Sequence, residues 1–167
     1  MTVDTSINHN QPPITMTSIV YTPLFLENAD ELFQIIHDQT EWSKIHYFKR
    51  HVSHYEGTIP SFNRVLLDIE TQFARHVTGA FLNYYEDGQE YAPYHADKYE
   101  CDTCLLSLGA TRTLRYKDNV TKVNTDFVLN SGDLLFIPND VNDQYKHSLL
   151  KTKKVDKARI SILVFLE

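Results

Sequence analysis

Cysteine is scarce in this chain. Cys101 and Cys104 are the only two among 167 residues, which argues against a disulfide framework and rules out a four-thiolate zinc site. No thioredoxin-like βαβ pattern surrounds them, so Cys101-x-x-Cys104 is expected to be two free thiols. Long apolar runs are missing as well. Nothing approaches membrane-spanning length, and the N-terminus lacks the basic-then-apolar pattern of a signal peptide. The expected setting is therefore cytoplasmic or nuclear, without a membrane partner. An excess of positive charge is also absent: 16 Lys and Arg against 22 Asp and Glu leave −6. Bulk attraction to nucleic acid is thereby unsupported, although a local basic surface suffices to hold a phosphate backbone. Two local clusters exist, Lys49-Arg50-His51 with His54, and Lys151-x-Lys153-Lys154 with Lys157 and Arg159. Their plain alternative is a pair of solvated loops.

What is present is the composition of a soluble globular domain, 42% apolar and 23% charged. Residues 1–16 are polar and aperiodic, with Pro12-Pro13, and read as a flexible tail ahead of a single domain over 17–167. Val20 to Phe25 suits a short strand. Asn28 with Glu31 three residues on is a helix-start pattern, and Leu32, Phe33, Ile35 and Ile36 follow at helical spacing, predicting a helix over 29–40. Trp42 to Ser61 has no clean period and reads as a surface loop or edge hairpin. Pro60, then Phe62, Val65, Leu66, Ile69 and Phe73 in steps of three and four, with Gly79 beyond, predict a second helix over 61–77.

After Gly79 the period changes to two. Phe81, Asn83 and Tyr85 share one strand face, Asp87-Gly88 has the form of a hairpin turn, and about seven short extended pieces follow as far as Leu166. Two helices and then some eight short strands predict an α+β fold whose strands close as a jelly-roll or small barrel.

The chemistry centres on His95-x-Asp97. One small residue separates an imidazole from a carboxylate, so a single segment can offer both to one metal. The spacing alone is common. His147 strengthens it, lying where a roll brings the chain back over itself. Two imidazoles and a carboxylate, leaving open positions, suit a non-haem Fe(II) centre that binds O2. Arg159 opens the last apolar strand, with Ser161 on the same face. A guanidinium there needs a carboxylate, and its planar fork suits a dicarboxylic acid such as 2-oxoglutarate. An end-of-strand arginine in solvent is the alternative. Arg112 and Arg115 alternate with Thr113 and Tyr116 and face either substrate or water.

Asn83-x-Tyr85 with Gly88, His95-x-Asp97, the run from Leu105 to Leu114 (Leu-Leu-Ser-Leu-Gly-Ala-Thr-Arg-Thr-Leu), Ser131-Gly-Asp133, His147 and Arg159-Ile-Ser161 together resemble the AlkB family of Fe(II)/2-oxoglutarate dioxygenases. The resemblance runs from about Leu24 to Leu166. It implies a double-stranded β-helix with His95, Asp97 and His147 on iron, and Asn83, Tyr85 and Arg159 on 2-oxoglutarate. It implies oxidative demethylation of alkylated bases in single-stranded or damaged nucleic acid; the chain itself is expected to be a monomer. The stretch from Lys49 to Gly57 resembles the family's nucleotide-recognition lid, with Arg50 as a phosphate contact and Tyr55 as a base-stacking or gating residue. Glu100 or Asp102 would help to read the substrate. One position departs from the pattern: where the family carries a second arginine six residues after the first, this chain has Phe165. That change implies weaker 2-oxoglutarate binding, a compensating donor from elsewhere, or a lost activity. Hydroxylation of a protein or small molecule, a binding module without turnover, and a cupin-like barrel are the competing readings.

Overall fold

A computed structural model describes residues 18–45 and 50–167. The tail expected over 1–16, and Lys49 of the first basic cluster, lie outside the described residues. Three strands and two helices lead into the roll: β1 (Val20–Thr22), α1 (Ala29–Gln39), β2 (Ser43–Ile45), β3 (Arg50–His54) and α2 (Pro60–Phe73). The roll itself is β4 (Val77–Tyr85), β5 (Ala92–His95), β6 (Asp102–Gly109), β7 (Arg112–Asp118), β8 (Asn124–Leu129), β9 (Leu134–Ile137), β10 (Tyr145–Leu149) and β11 (Arg159–Leu166). A one-turn helix, α3 (Val141–Gln144), precedes β10. The major sheet has seven strands in the order β1-β9-β6-β11-β4-β3-β2, and the minor sheet has four in the order β5-β10-β7-β8. The pairings are antiparallel, so this is the jelly-roll expected from the alternating runs.

Alternation along β11 divides the molecule. Ile160, Ile162, Val164 and Leu166 turn outward into a core shared with Leu32 and Ile36 of α1 and Phe62, Val65 and Ile69 of α2. Arg159, Ser161 and Leu163 turn inward, between the sheets. The helices therefore cover the outer face of the major sheet, and the space between the sheets is left for the site. Among the described residues no helix is long and apolar enough to cross a membrane.

Several local expectations are corrected. Asn28 stands at the start of α1 but makes no side-chain cap bond. α2 ends at Phe73, short of 77, because Ala74 takes a left-handed conformation at φ 50°. His76 then exchanges backbone hydrogen bonds with Glu167 at 2.7 and 2.9 Å, drawing the following residues into β4. Gly79 is consequently a strand residue opposite Phe165, not a helix stop. Asp87-Gly88 closes no hairpin, since β4 and β5 belong to different sheets; it turns the chain from one sheet to the other. The corner is held by Gly88, whose N–H donates to Val155 O at 2.8 Å and whose carbonyl accepts from Thr152 N at 2.9 Å. A Cβ there would lie 1.8 Å from Thr152 O, so only glycine fits. Within the stretch from Trp42 to Ser61, expected as a surface loop or edge hairpin, β2 does pair antiparallel with β3, and α2 begins already at Pro60.

Candidate metal and co-substrate site

The inner face of the major sheet is ordered in rows that follow from strand register. Arg159 of β11 sits opposite Tyr85 of β4, Ser161 opposite Asn83, and Leu163 opposite Phe81. On the other side of β11, Ser161 pairs with Ser107 and Leu163 with Leu105. Beyond β4, Val52 of β3 pairs with Asn83 and His54 with Phe81, which brings Arg50 level with Tyr85. The row at one end is thus cationic and phenolic, the next is polar, and the third is apolar.

The minor sheet faces these rows with the metal-type ligands. His147 of β10 is directly opposite His95 of β5, so register alone puts both imidazoles on one face. Their ring centroids are 4.3 Å apart. Asp97 follows β5 and reaches between them, with Oδ1 3.5 Å from His95 Nε2 and Oδ2 3.5 Å from His147 Nε2. One donor atom from each of the three lies within 4.8 Å of the others. Metal–donor bonds of about 2.1 Å at right angles place neighbouring donors about 3 Å apart, so small side-chain adjustments close the set around one ion. His95 Nδ1 lies 2.7 Å from Pro93 O. A proton donated there leaves Nε2 free to ligate.

Electrostatics keep the set ready for a cation. Burial pushes His147 down to about 4, outweighing the pull of Asp97 and aided by the charges of His95 and Arg50. It is therefore neutral, and able to ligate, at neutral pH. Burial alone would raise the Asp97 carboxyl, but the His95 hydrogen bond and the two imidazoles hold it below the usual carboxylate range. For His95, burial acts downward, and the contacts to Asp97 and the Pro93 carbonyl outweigh it, leaving a net upward shift.

Across the same cavity lies Arg159, 1% exposed. Its Nε donates to Ser107 Oγ at 3.0 Å, and its guanidinium carbon stands 5.7 Å from the Tyr85 ring centroid. Its Nη2 is buried without a hydrogen-bond partner, as is Asn83 Oδ1. Among the described residues no carboxylate forms an ion pair with it. Burial lowers its pKa to about 10. A buried, unpaired guanidinium is costly, and a carboxylate is the group that would complete it. The three donors fit Fe(II), and the guanidinium with Asn83, Tyr85 and Ser161 fits an anionic co-substrate.

Asn83, Tyr85, His95, Asp97, His147, Arg159, Ser161 and Arg50 all line this cavity. The remaining expected residues lie elsewhere. Tyr55 is outside the cavity lining. Its hydroxyl accepts from Ile59 N at 2.9 Å and donates to Asn63 Oδ1 at 2.6 Å, while its ring packs edge-on against Phe62. It serves the start of α2. Arg112 is outside the lining: it is buried and donates to three carbonyls, Asp87 O at 3.1 Å and Glu90 O and Leu150 O at 2.7 Å, clamping the turn between the sheets, while its guanidinium carbon stands 5.7 Å from the Tyr85 ring centroid. Glu100 is exposed and outside the lining. Asp102 ties loops together, accepting from Asn139 N at 2.9 Å and pairing with Arg75 at 3.4 Å. Cys101 and Cys104 are free thiols, and burial pushes Cys104 up to about 12, which leaves it unreactive.

Three contributors escaped sequence reasoning. Asn142 of α3 accepts the Asp97 N–H at 3.3 Å and steadies the metal-type loop. Tyr116 is fully buried, its ring centroid 5.3 Å from that of His147. Tyr99 lines the cavity and meets Phe165 edge-on at 4.7 Å. Period two marks Tyr116 as inward, but nothing in the sequence pairs Asn142 with a loop 45 residues earlier.

The comparisons with known proteins agree with this fold. A crystal structure of a Pseudomonas putida prolyl-4-hydroxylase is similar at TM-score 0.66 and 13% identity, covering 89% of this chain and 91% of that one. At that identity the likeness is one of fold. The protein R406 of Acanthamoeba polyphaga mimivirus, described as uncharacterized, is 25% identical over 99 residues, 57% of this chain and 52% of its own length. The chain thus spans about half the length of that relative. The family described as the 2OG-Fe(II) oxygenase superfamily matches residues 22–164. Matched over that span, the chain belongs to the 2OG-Fe(II) oxygenase superfamily, dioxygenases whose working set is Fe(II), 2-oxoglutarate and O2.

Proposed function

We propose that this chain is an active Fe(II)- and 2-oxoglutarate-dependent dioxygenase of the AlkB-like kind, which demethylates alkylated bases of DNA or RNA. The observation that carries the dioxygenase reading is Arg159, a buried guanidinium with an unpartnered Nη2 in the same cavity as three convergent metal-type donors. His95 and His147 would hold the iron through Nε2, and Asp97 through its carboxylate. Arg159, with Tyr85, Asn83 and Ser161, would hold 2-oxoglutarate. Bound iron supplies oxygen activation coupled to decarboxylation of 2-oxoglutarate, one oxygen atom going to succinate and the other to the substrate. An N–CH3 group then becomes N–CH2OH, whose C–N bond breaks to give formaldehyde and the N–H base. This chain's residues position the reactants and exclude water. Leu105, Leu114, Leu149, Leu163 and Phe81 supply the apolar walls.

The nucleic-acid part of the reading rests on the motif resemblance from Asn83 to Ser161. Its test is reconstitution with Fe(II) and incubation with N-methylated single-stranded DNA or RNA oligonucleotides. Formaldehyde and succinate in equal amounts, absent from His95→Ala, are expected. A second reading, hydroxylation of a protein or small molecule, is supported by Tyr55 being tied to α2, by the charge of −6, and by the prolyl-4-hydroxylase likeness in fold. A peptide that gains one oxygen atom while the oligonucleotides stay unchanged selects it.

A further inference from the structure

Position 165 is apolar, and the phenyl ring of Phe165 is occupied by Tyr99, so β11 supplies one cation to the cavity, at Arg159. A second cation enters from β3, next to the edge strand of the same sheet. Arg50, on β3, shares the cross-strand row of Tyr85 and Arg159, and lines the cavity. Two strand spacings of about 4.8 Å separate its backbone from that of Arg159, and both side chains lean toward the tyrosine between them. Its Nη1 is 3.5 Å from the Tyr85 hydroxyl, while Arg159 stands over the Tyr85 ring. Arg159 is at the closed end, bonded to Ser107. Arg50 is on the other side of Tyr85, in the same cavity lining as His95, Asp97 and His147. The cavity therefore offers one guanidinium on each side of Tyr85, within a lining that also holds the three metal-type donors. Two cations flanking one tyrosine in a single cavity suit a ligand with two carboxylates.

We propose that Arg50 is the second co-substrate cation, bound to the carboxylate of 2-oxoglutarate nearest the metal, while Arg159 takes the far carboxylate. This rests on the dioxygenase reading above and reassigns Arg50 from the phosphate of a nucleic acid to the co-substrate. It also means that β3, the edge hairpin strand, is part of the co-substrate site. Arg50 is a binding and positioning residue in this role.

The test compares two ligands by calorimetry on the Mn(II)-loaded full chain. 2-Oxoglutarate has both carboxylates; 2-oxopentanoate keeps the keto acid and lacks the far one. Arg159→Met is expected to weaken 2-oxoglutarate alone and so erase the preference between the ligands. Arg50→Met is expected to weaken both by a similar factor, about 10- to 100-fold, leaving the preference intact, with Arg50→Lys in between. Mn(II) affinity and melting temperature, measured without ligand, show that the variants are folded and loaded. If Arg50→Met changes neither constant by more than about twofold, or weakens only 2-oxoglutarate, the assignment is wrong. If wild type binds neither ligand, the co-substrate reading of the whole cavity fails with it.

Discussion

Arg159 shows how a residue can be wrong for the fold and right for a ligand. Its guanidinium is buried, donates one hydrogen bond to Ser107, and leaves Nη2 without a partner. Removing an uncompensated buried charge relieves the fold, whereas removing the partner of a bound carboxylate costs about 2–5 kcal/mol. Arg159→Met is therefore expected to raise the stability of the ligand-free protein by about 1–3 kcal/mol and to weaken 2-oxoglutarate binding at least about 30-fold. Denaturant melts and calorimetry on one sample check both; a variant that is less stable and binds normally contradicts the assignment. Tyr55 makes the opposite case. Its hydroxyl is committed to Ile59 and Asn63. Tyr55→Phe should cost about 1–2 kcal/mol of stability and leave the oxidation of any substrate unchanged. A variant with normal stability and impaired turnover would restore Tyr55 to the substrate.

At the scale of elements, Asp133 fastens β1 and the turn before β9 to the roll. Its carboxylate accepts from the Tyr21 hydroxyl at 2.7 Å, Leu24 N at 3.0 Å and Asn130 N at 2.8 Å. Burial alone would raise its pKa, and these hydrogen bonds outweigh that and hold it below the usual carboxylate value. Because the folded pKa lies under the unfolded value of about 3.9, the clamp contributes in full above that pH. Its contribution is lost as the pH falls through the lower, folded value. Asp133→Asn should destabilise the protein at neutral pH by about 2–3 kcal/mol and flatten the stability–pH curve below pH 4. Equal slopes for the two proteins would refute it. The elements themselves were largely legible. Period-two runs announced β4, β6, β7, β8, β9, β10 and β11, and spacings of three and four announced both long helices. What was hidden depended on long-range partners. The entry into β4 straight after α2 is set by His76 pairing with Glu167, and the role of Arg112 by three carbonyls on two separate loops. Both follow from where distant segments meet, and local sequence does not encode that. The metal-type set was readable because two of its members are neighbours and the third lies directly across a strand pair.

Over the whole molecule, the site joins two sheets that otherwise touch mainly through side chains. The minor sheet brings His95 and His147, with Asp97 following β5, and the major sheet brings Tyr85, Asn83, Arg159 and Ser161. A metal alone ties together residues of the minor sheet and its loop. 2-Oxoglutarate alone has Arg159 and its neighbours to bind, with no metal for its keto group. Both together span the space between the sheets, so each should bind more tightly when the other is present, and by the same factor, because the coupling is reciprocal. Ligands that bind only the folded state stabilise it as RT ln(1 + [L]/Kd), about 2.7 kcal/mol at a hundredfold excess over Kd. Thermal melts with Mn(II), with 2-oxoglutarate, and with both are therefore expected to show a joint shift larger than the sum of the separate ones. In His147→Ala the 2-oxoglutarate shift should fall to what the metal-free protein gives, even with Mn(II) present. Shifts that merely add would mean that the co-substrate and the metal occupy separate places, and that the cavity between the sheets does not bring them into contact.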